Sequence, residues 1–218
     1  YIKPGDIERR SFEIIAKELQ ERSLILPKEQ ELITKRVIHT SADFDYAQTL
    51  CYSPGAVDIA LNLIRQGADL VMDTNMGLAG VNKGVLAMFG GSAHCFMAEE
   101  SVVREAKERE VTRASVSMER GLAIQKPVIF AIGNAPTALI SLYDQMQQGG
   151  RIPDFIIGVP VGFVNVEAAK ELFINTKVPY IINRGKKGGS NVAAAICNAL
   201  LYMARDQKTE VPSDSSKI

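Results

Sequence analysis

Three loops carry the densest supply of groups able to hold a ligand: "GNAPTA" from Gly133, "GVPVGFVN" from Gly158 and "RGKKGGSN" from Arg184. Each follows a short β-branched run and opens a helical pattern, so each delivers its chain into a helix N-terminus. There, unpaired backbone amides and the positive end of the helix dipole favour an anion. Gly133, Gly188 and Gly189 let the backbone approach a ligand closely, and Asn134, Thr137 and Ser190 add donors. Arg184, with Lys186 and Lys187, adds positive charge. A carboxylate-rich or phosphorylated ligand fits such a rim, although turn glycines and helix-capping residues would leave the same pattern without one. Neither GxxxxGK followed by Ser or Thr, nor GxGxxG opening a helix after a strand, occurs, so these loops are not a nucleotide signature.

His39 closes a helical stretch and shares a face with Leu32 and Arg36 by its four-then-three spacing. A helix C-terminus favours a cationic imidazole, which makes His39 a candidate proton donor; a surface or structurally bonded histidine is the plainer alternative. His94, in "GGSAHCF", has no stronger case, and the two histidines lack the carboxylate spacing of a metal site. Ser11 falls in a stripe with Ile7, Ile14, Ile15 and Leu19, where its hydroxyl needs a partner that the carbonyl four residues back would supply. Arg113, in "EVTRASVSME", opens a helix whose dipole it opposes, which points to a carboxylate partner; a solvated arginine reads the same way.

Two helices occupy the first forty positions, separated at Pro27. Further on, "GADLVMDTNMGLAGV" and "AHCFMAEESVVREAKE" each read as strand then helix, and "PVIFAIGNAPTALISLYDQM", "DFIIGVPVGFVNVEAAKELF" and "PYIINRGKKGGSNVAAAICNALLYMA" repeat strand, loop and helix. Strands that are apolar throughout, alternating with helices, predict a parallel sheet covered on both faces. The expected fold is a single three-layer α/β domain over 1–205, with a mostly parallel Rossmann-like sheet, N-terminal helices and a polar tail at 206–218. In such sheets ligands bind beyond the carboxyl ends of the strands, so the three loops should converge on one rim.

The 25 basic and 25 acidic side chains cancel, leaving no global field to draw the protein onto nucleic acid or an anionic membrane. No apolar run reaches the ~18 to 20 residues that span a bilayer, and the opening stretch has no signal-peptide core, so a cytoplasmic location is expected. Cys51, Cys95 and Cys197 are odd in number and widely spaced, which reads as reduced thiols rather than a disulfide framework or a zinc site.

These residues resemble the precorrin-8X methylmutase family, whose cobalt-pathway members act on cobalt-precorrin-8. The resemblance rests on "ERRSFEII", "RVIH", "SPGAVDIAL", "DLVMDTNMGLAGV", "TRASVSM", "AIGNAPTAL", "GVPVGFVNVEAAKE" and "INRGKKGGSNVAAAICNAL", in family order over most of Ile7 to Tyr202. It implies an α/β homodimer with no cofactor, a corrinoid substrate and product, and migration of a methyl group from carbon 11 to carbon 12 of the macrocycle. Carried over by position, it implies that the essential histidine is His39 and that the ligand-contacting serine and arginine are Ser11 and Arg113. After the histidine, "TSADFDY" is more polar than the family's small-residue sequence. Such a migration needs no nucleophile, metal or hydride carrier; the enzyme must hold and polarise the macrocycle, and a hydrogen bond or proton from His39 would do so. Two rival classes are a phosphate-ligand enzyme built on "RGKKGGSN" and a non-catalytic tetrapyrrole carrier.

Overall fold

The computed structural model describes residues 4–209. The chain enters through α1 (Pro4–Glu21) and α2 (Lys28–Ser41). Helix α2 starts after Pro27, with Glu29 and Glu31 in its first turn and His39 in its last, the charge order that the helix dipole favours. It stops where Ala42, in the left-handed conformation at φ 54°, returns its N–H to the Ile38 carbonyl. A one-turn helix, α3 (Tyr46–Thr49), leads into β1 (Leu50–Tyr52) and α4 (Ala56–Arg65). There follow β2 (Asp69–Met72), α5 (Asn75–Gly80), α6 (Lys83–Ala87), β3 (Ala93–His94), α7 (Glu100–Glu108) and α8 (Arg113–Leu122). The last half alternates strictly: β4 (Val128–Ile132), α9 (Pro136–Gln147), β5 (Phe155–Gly158), α10 (Val166–Ile174), β6 (Tyr180–Asn183) and α11 (Ser190–Thr209). Helix α11 thus continues past Arg205; the rest of the polar tail, 210–218, lies outside the described residues.

The strands form one six-stranded sheet in the order β1-β6-β5-β4-β2-β3, parallel except for β1, which runs antiparallel to β6. Five of these strands answer to the five predicted runs; β1 is an additional edge. Strands β2, β4, β5 and β6 are buried at every position because both sheet faces are covered. Along β4 the pleat sends Ile129 and Ala131 into one core, with α4, α6 and α11, and Val128, Phe130 and Ile132 into the other, with α8, α9 and α10. Phe130 and Phe155 lie fully inside opposite cores, and burial of each ring contributes about 1.5–3 kcal/mol.

This three-layer sandwich carries α2 on the outside of α11, and α1 on the outside of α2. Among the described residues no helix is long and apolar enough to cross a membrane.

Candidate active site

Ser11 on α1 and His39 on α2 meet: Ser11 Oγ lies 2.7 Å from His39 Nδ1. Phe12 stacks on the imidazole, ring centroids 5.6 Å apart. The hydroxyl therefore uses the histidine as its partner, not the carbonyl one turn back. The apolar stripe that holds Ser11 is only partly buried: Ile15 and Leu19 face the core, whereas Ile7 and Ile14 remain exposed beside Ser11. His39 is itself exposed. A groove of about 540 Å³ runs between α1 and α2 along Phe12, Ala16, Leu32 and Arg36. The Arg36 guanidinium lies 5.4 Å from the centre of the Phe12 ring and 5.0 Å from that of Tyr202, and pairs with Glu8 at 2.9 Å.

At the carboxyl edge of the sheet the first loop is braced from within. Asp73, directly after β2, accepts the backbone N–H of Gly133 at 2.9 Å on one oxygen, and those of Asn134 and Ala135 at 2.7 and 2.6 Å on the other. Burial pushes this carboxyl above its ordinary range, and the three amides pull it part of the way back. The amides at the start of α9, expected from the sequence to face an anionic ligand, thus hold an anion of the protein's own. The Asn134 and Thr137 side chains remain exposed. Gly133 also permits the first and last loops to touch, since a Cβ there would lie 2.6 Å from the Ser190 Cα. Ser190 is buried and exchanges a 2.7 Å hydrogen bond with Thr74, the residue that caps α5. Gly188 passes so close to the Val159 carbonyl that no side chain would fit, and Gly189 donates its N–H to that carbonyl. The three predicted loops do converge.

The last loop rests on a buried cation. Lys170 of α10, with no exposed surface, donates to the carbonyls of Gly185 at 2.6 Å and Lys187 at 2.9 Å. Burial lowers its amine to about 8, yet a neutral amine still has two N–H groups for these acceptors. Asn183 also donates to the Lys187 carbonyl and to that of Arg184, while accepting from Thr49. On the surface, the Lys187 ammonium binds Asp43 at 2.6 Å and Asp45 at 2.5 Å. Burial alone would raise the Asp43 carboxyl, but the hydrogen bond and charge of Lys187 hold it below the usual range. The polar segment after His39 is therefore a tether between the end of α2 and the glycine loop, and Lys187 is not free positive charge.

Arg184 pairs with Glu171 at 3.4 Å. Arg113 opens α8 after the Thr112 cap and is exposed; its carbonyl accepts from the Ser117 hydroxyl, but its guanidinium makes no hydrogen bond or ion pair among the described residues. Since α8 descends from the carboxyl edge into β4, Arg113 lies on the rim, but on the sheet face opposite α2 and α11. One chain brings Ser11 to His39 and Gly133 to Ser190; it does not bring Arg113 to His39. His94 is structural, bonded at 2.9 Å to Asp69, which also accepts from the Ser92 N–H. The cysteines are free; Cys197 is fully buried, which pushes its thiol up to about 12.

Asp73, Lys170 and the Asp43–Asp45 pair are the organising groups that sequence reasoning passed over. An acid placed immediately after the buried apolar run 70–72 was the available signal for Asp73, because its carboxylate must find donors at the strand end.

An open, largely parallel sheet with interlocked loops at its carboxyl edge and a hydroxyl-held imidazole on adjoining helices defines an α/β enzyme of Rossmann-like architecture. The family model described as Precorrin-8X methylmutase matches residues 6–203. The chain is 39% identical to the cobalt-precorrin-8 methylmutase of Priestia megaterium over 203 residues, covering 93% of this chain and 89% of that protein. It is 39% identical to the Salmonella typhimurium protein of the same name, covering 94% and 97%. It is 36% identical to the precorrin-8X methylmutase of Pseudomonas aeruginosa, covering 92% and 96%. The crystal structure of the precorrin-8X methyl mutase from Thermus thermophilus superposes with a TM-score of 0.82 at 33% identity, covering 93% and 98%. This chain belongs to the precorrin-8X methylmutase family, the intramolecular transferases of corrin biosynthesis.

Proposed function

We propose that this chain moves a methyl group from carbon 11 to carbon 12 of precorrin-8 or its cobalt complex, in the cytoplasm, with His39 acting on the macrocycle. The observation that carries the role of His39 is its 2.7 Å contact with Ser11. With the hydroxyl donating to Nδ1, the neutral imidazole keeps its proton on Nε2; in the imidazolium, Nδ1–H donates to the hydroxyl instead. In either state Nε2–H remains the outward donor, held by Ser11 and by the stacked Phe12. Charge redistributes over the ring system as the methyl group migrates, and a fixed donor lowers the barrier by bonding more strongly to the migrating state than to the substrate.

Arg113, unpaired and on the rim, suits a peripheral carboxylate of the macrocycle. Because it stands on the opposite sheet face from His39, one bound macrocycle reaching both residues favours a homodimer in which a second copy completes the site. The exposed Ile7 and Ile14 beside Ser11 are consistent with a covered face there.

The test is His39→Ala, with binding and single-turnover rate measured separately for metal-free and cobalt-bearing substrate. Affinity should stay within a few fold while turnover falls by about 10²-fold or more, as removal of a group that acts only in the transition state requires. A variant that converts bound substrate at the unaltered rate would remove His39 from the chemistry.

A further inference from the structure

Adjacent lysines in the last rim loop have opposite surroundings. Lys187 is committed to Asp43 and Asp45. Lys186 makes no ion pair among the described residues, and its ammonium lies 5.7 Å from the centre of the Phe163 ring. Phe163 is 85% exposed and its neighbour Val164 78%, far more than other large apolar side chains of the rim loops retain. The backbone beneath them is not loose: Val161 donates to the Gly133 carbonyl at 3.3 Å and Gly162 to the Lys186 carbonyl at 3.1 Å. A phenyl ring held open to water on an anchored loop is the mark of a binding surface rather than of core packing. It stands at the carboxyl edge of the sheet, where α/β folds take their ligands, with an unpaired cation against it. Arg184, the third cation of this loop, is already engaged by Glu171.

We propose that Phe163 and Lys186 form a docking subsite for the macrocycle, the ring lying against its apolar face and the ammonium pairing with a carboxylate on its periphery. The occupant follows from the complementarity of the pair: a flat apolar body with acid groups at its edge satisfies both residues, whereas an inorganic anion would leave Phe163 uncovered and a neutral apolar ligand would leave Lys186 unused. The assignment rests on the methylmutase reading and adds residues that set affinity rather than rate.

The experiment is an absorbance titration of the whole chain with cobyrinic acid and with its fully methyl-esterified form, for the unaltered protein, Lys186→Met and Phe163→Ala. Lys186→Met should weaken the acid roughly fivefold, the worth of one partly exposed charge pair, and leave the ester unchanged. The same substitution should reduce the sensitivity of acid binding to salt. Phe163→Ala should weaken both forms by about tenfold, and Phe163→Leu by less, through lost ring contact. In turnover, KM should rise while kcat stays within about twofold. Unchanged affinities in both variants, or an equal loss of acid and ester in Lys186→Met, would overturn the proposal. So would a dimer that dissociates in Phe163→Ala with KM unaltered, because the ring would then be an interface between copies. If the unaltered chain neither binds cobyrinic acid nor turns over substrate, the methylmutase reading itself fails; if it does both and the variants match it, only the subsite fails.

Discussion

Replacing Asp73 by asparagine removes one oxygen from a carboxylate that serves three backbone donors. The amide oxygen is best placed toward Asn134 and Ala135, whose N–H groups approach one carboxylate oxygen at 2.7 and 2.6 Å. The new NH2 group then confronts the Gly133 N–H, 2.9 Å from the other oxygen, and a buried donor is left unpaired at about 1–3 kcal/mol. Two charge-assisted bonds become neutral ones, at about 1 kcal/mol each. Relief of the buried charge, which is what raises the Asp73 carboxyl, offsets part of this. The net expectation is a loss of about 2–4 kcal/mol, or a fall in Tm on the order of 10 °C for a chain of this length. Urea unfolding at pH 7, followed by circular dichroism, reads it directly, and an unchanged slope with denaturant would show that the comparison is between like states. Asp73→Ala should be worse than Asp73→Asn, since all three amides lose their acceptor. A loss below about 0.5 kcal/mol for the asparagine variant would refute the view that this carboxylate braces the rim.

Ser11→Ala should lower single-turnover rate more than it alters macrocycle affinity, because the imidazole loses the group that fixes Nδ1; an unaltered single-turnover rate would show that the hydroxyl has no hold on His39. Lys170 gives a pH test of stability. Its amine titrates at about 8 in the folded chain and at 10.5 when unfolded, so between these values the unfolded chain binds more protons and this group makes stability rise with pH. Below pH 8 the burial penalty is present in full. Lys170→Met should abolish that rise between pH 8 and 10.5, and urea midpoints that keep the same slope in the variant would contradict it. Sedimentation at micromolar concentration should find a dimer, and a fully active monomer would eliminate a shared site.

Much of the scaffold was legible because the central strands are nearly continuous apolar runs, with Asp69 opening β2 and Asn183 closing β6, a pattern that a sheet covered on both faces explains. Strand β1 escaped because "LCY" is three half-buried residues at an antiparallel edge, too short for either period to register. The convergence of the glycine loops was readable from topology, but their partners were not. Nothing local distinguishes Lys186 from Lys187; the difference is made by Asp43 and Asp45, more than 140 positions away. Likewise the amides of "GNAPTA" advertise an anion site, and only the fold reveals that Asp73 occupies it. The stripe of Ile7, Ser11, Ile14, Ile15 and Leu19 divides in the structure, with Ile15 and Leu19 in the core and Ile7 and Ile14 exposed, because periodicity records amphipathicity without recording how much of the face meets the core. His39 and Ser11 were singled out on separate grounds, one by its helix end and the other by its apolar neighbours, and no residue pattern announced that they touch.

The placement of α1 and α2 outside α11 bears on how the protein can lose function without unfolding. Ile15, Leu19, Ile33, Val37 and Ile38 bury these two helices in the core that α11 shares, so their detachment would open that core while the sheet and the opposite core, under α8, α9 and α10, persist. Amide exchange in α1 and α2 would then report an opening of lower free energy than that of the central strands. The tether from Lys187 to Asp43 and Asp45 resists that opening from the rim side, and as an exposed ion pair it weakens as salt rises. Ionic strength therefore acts on the hydroxyl–imidazole pair through the population of closed chains, at temperatures where the sheet and its opposite core are intact.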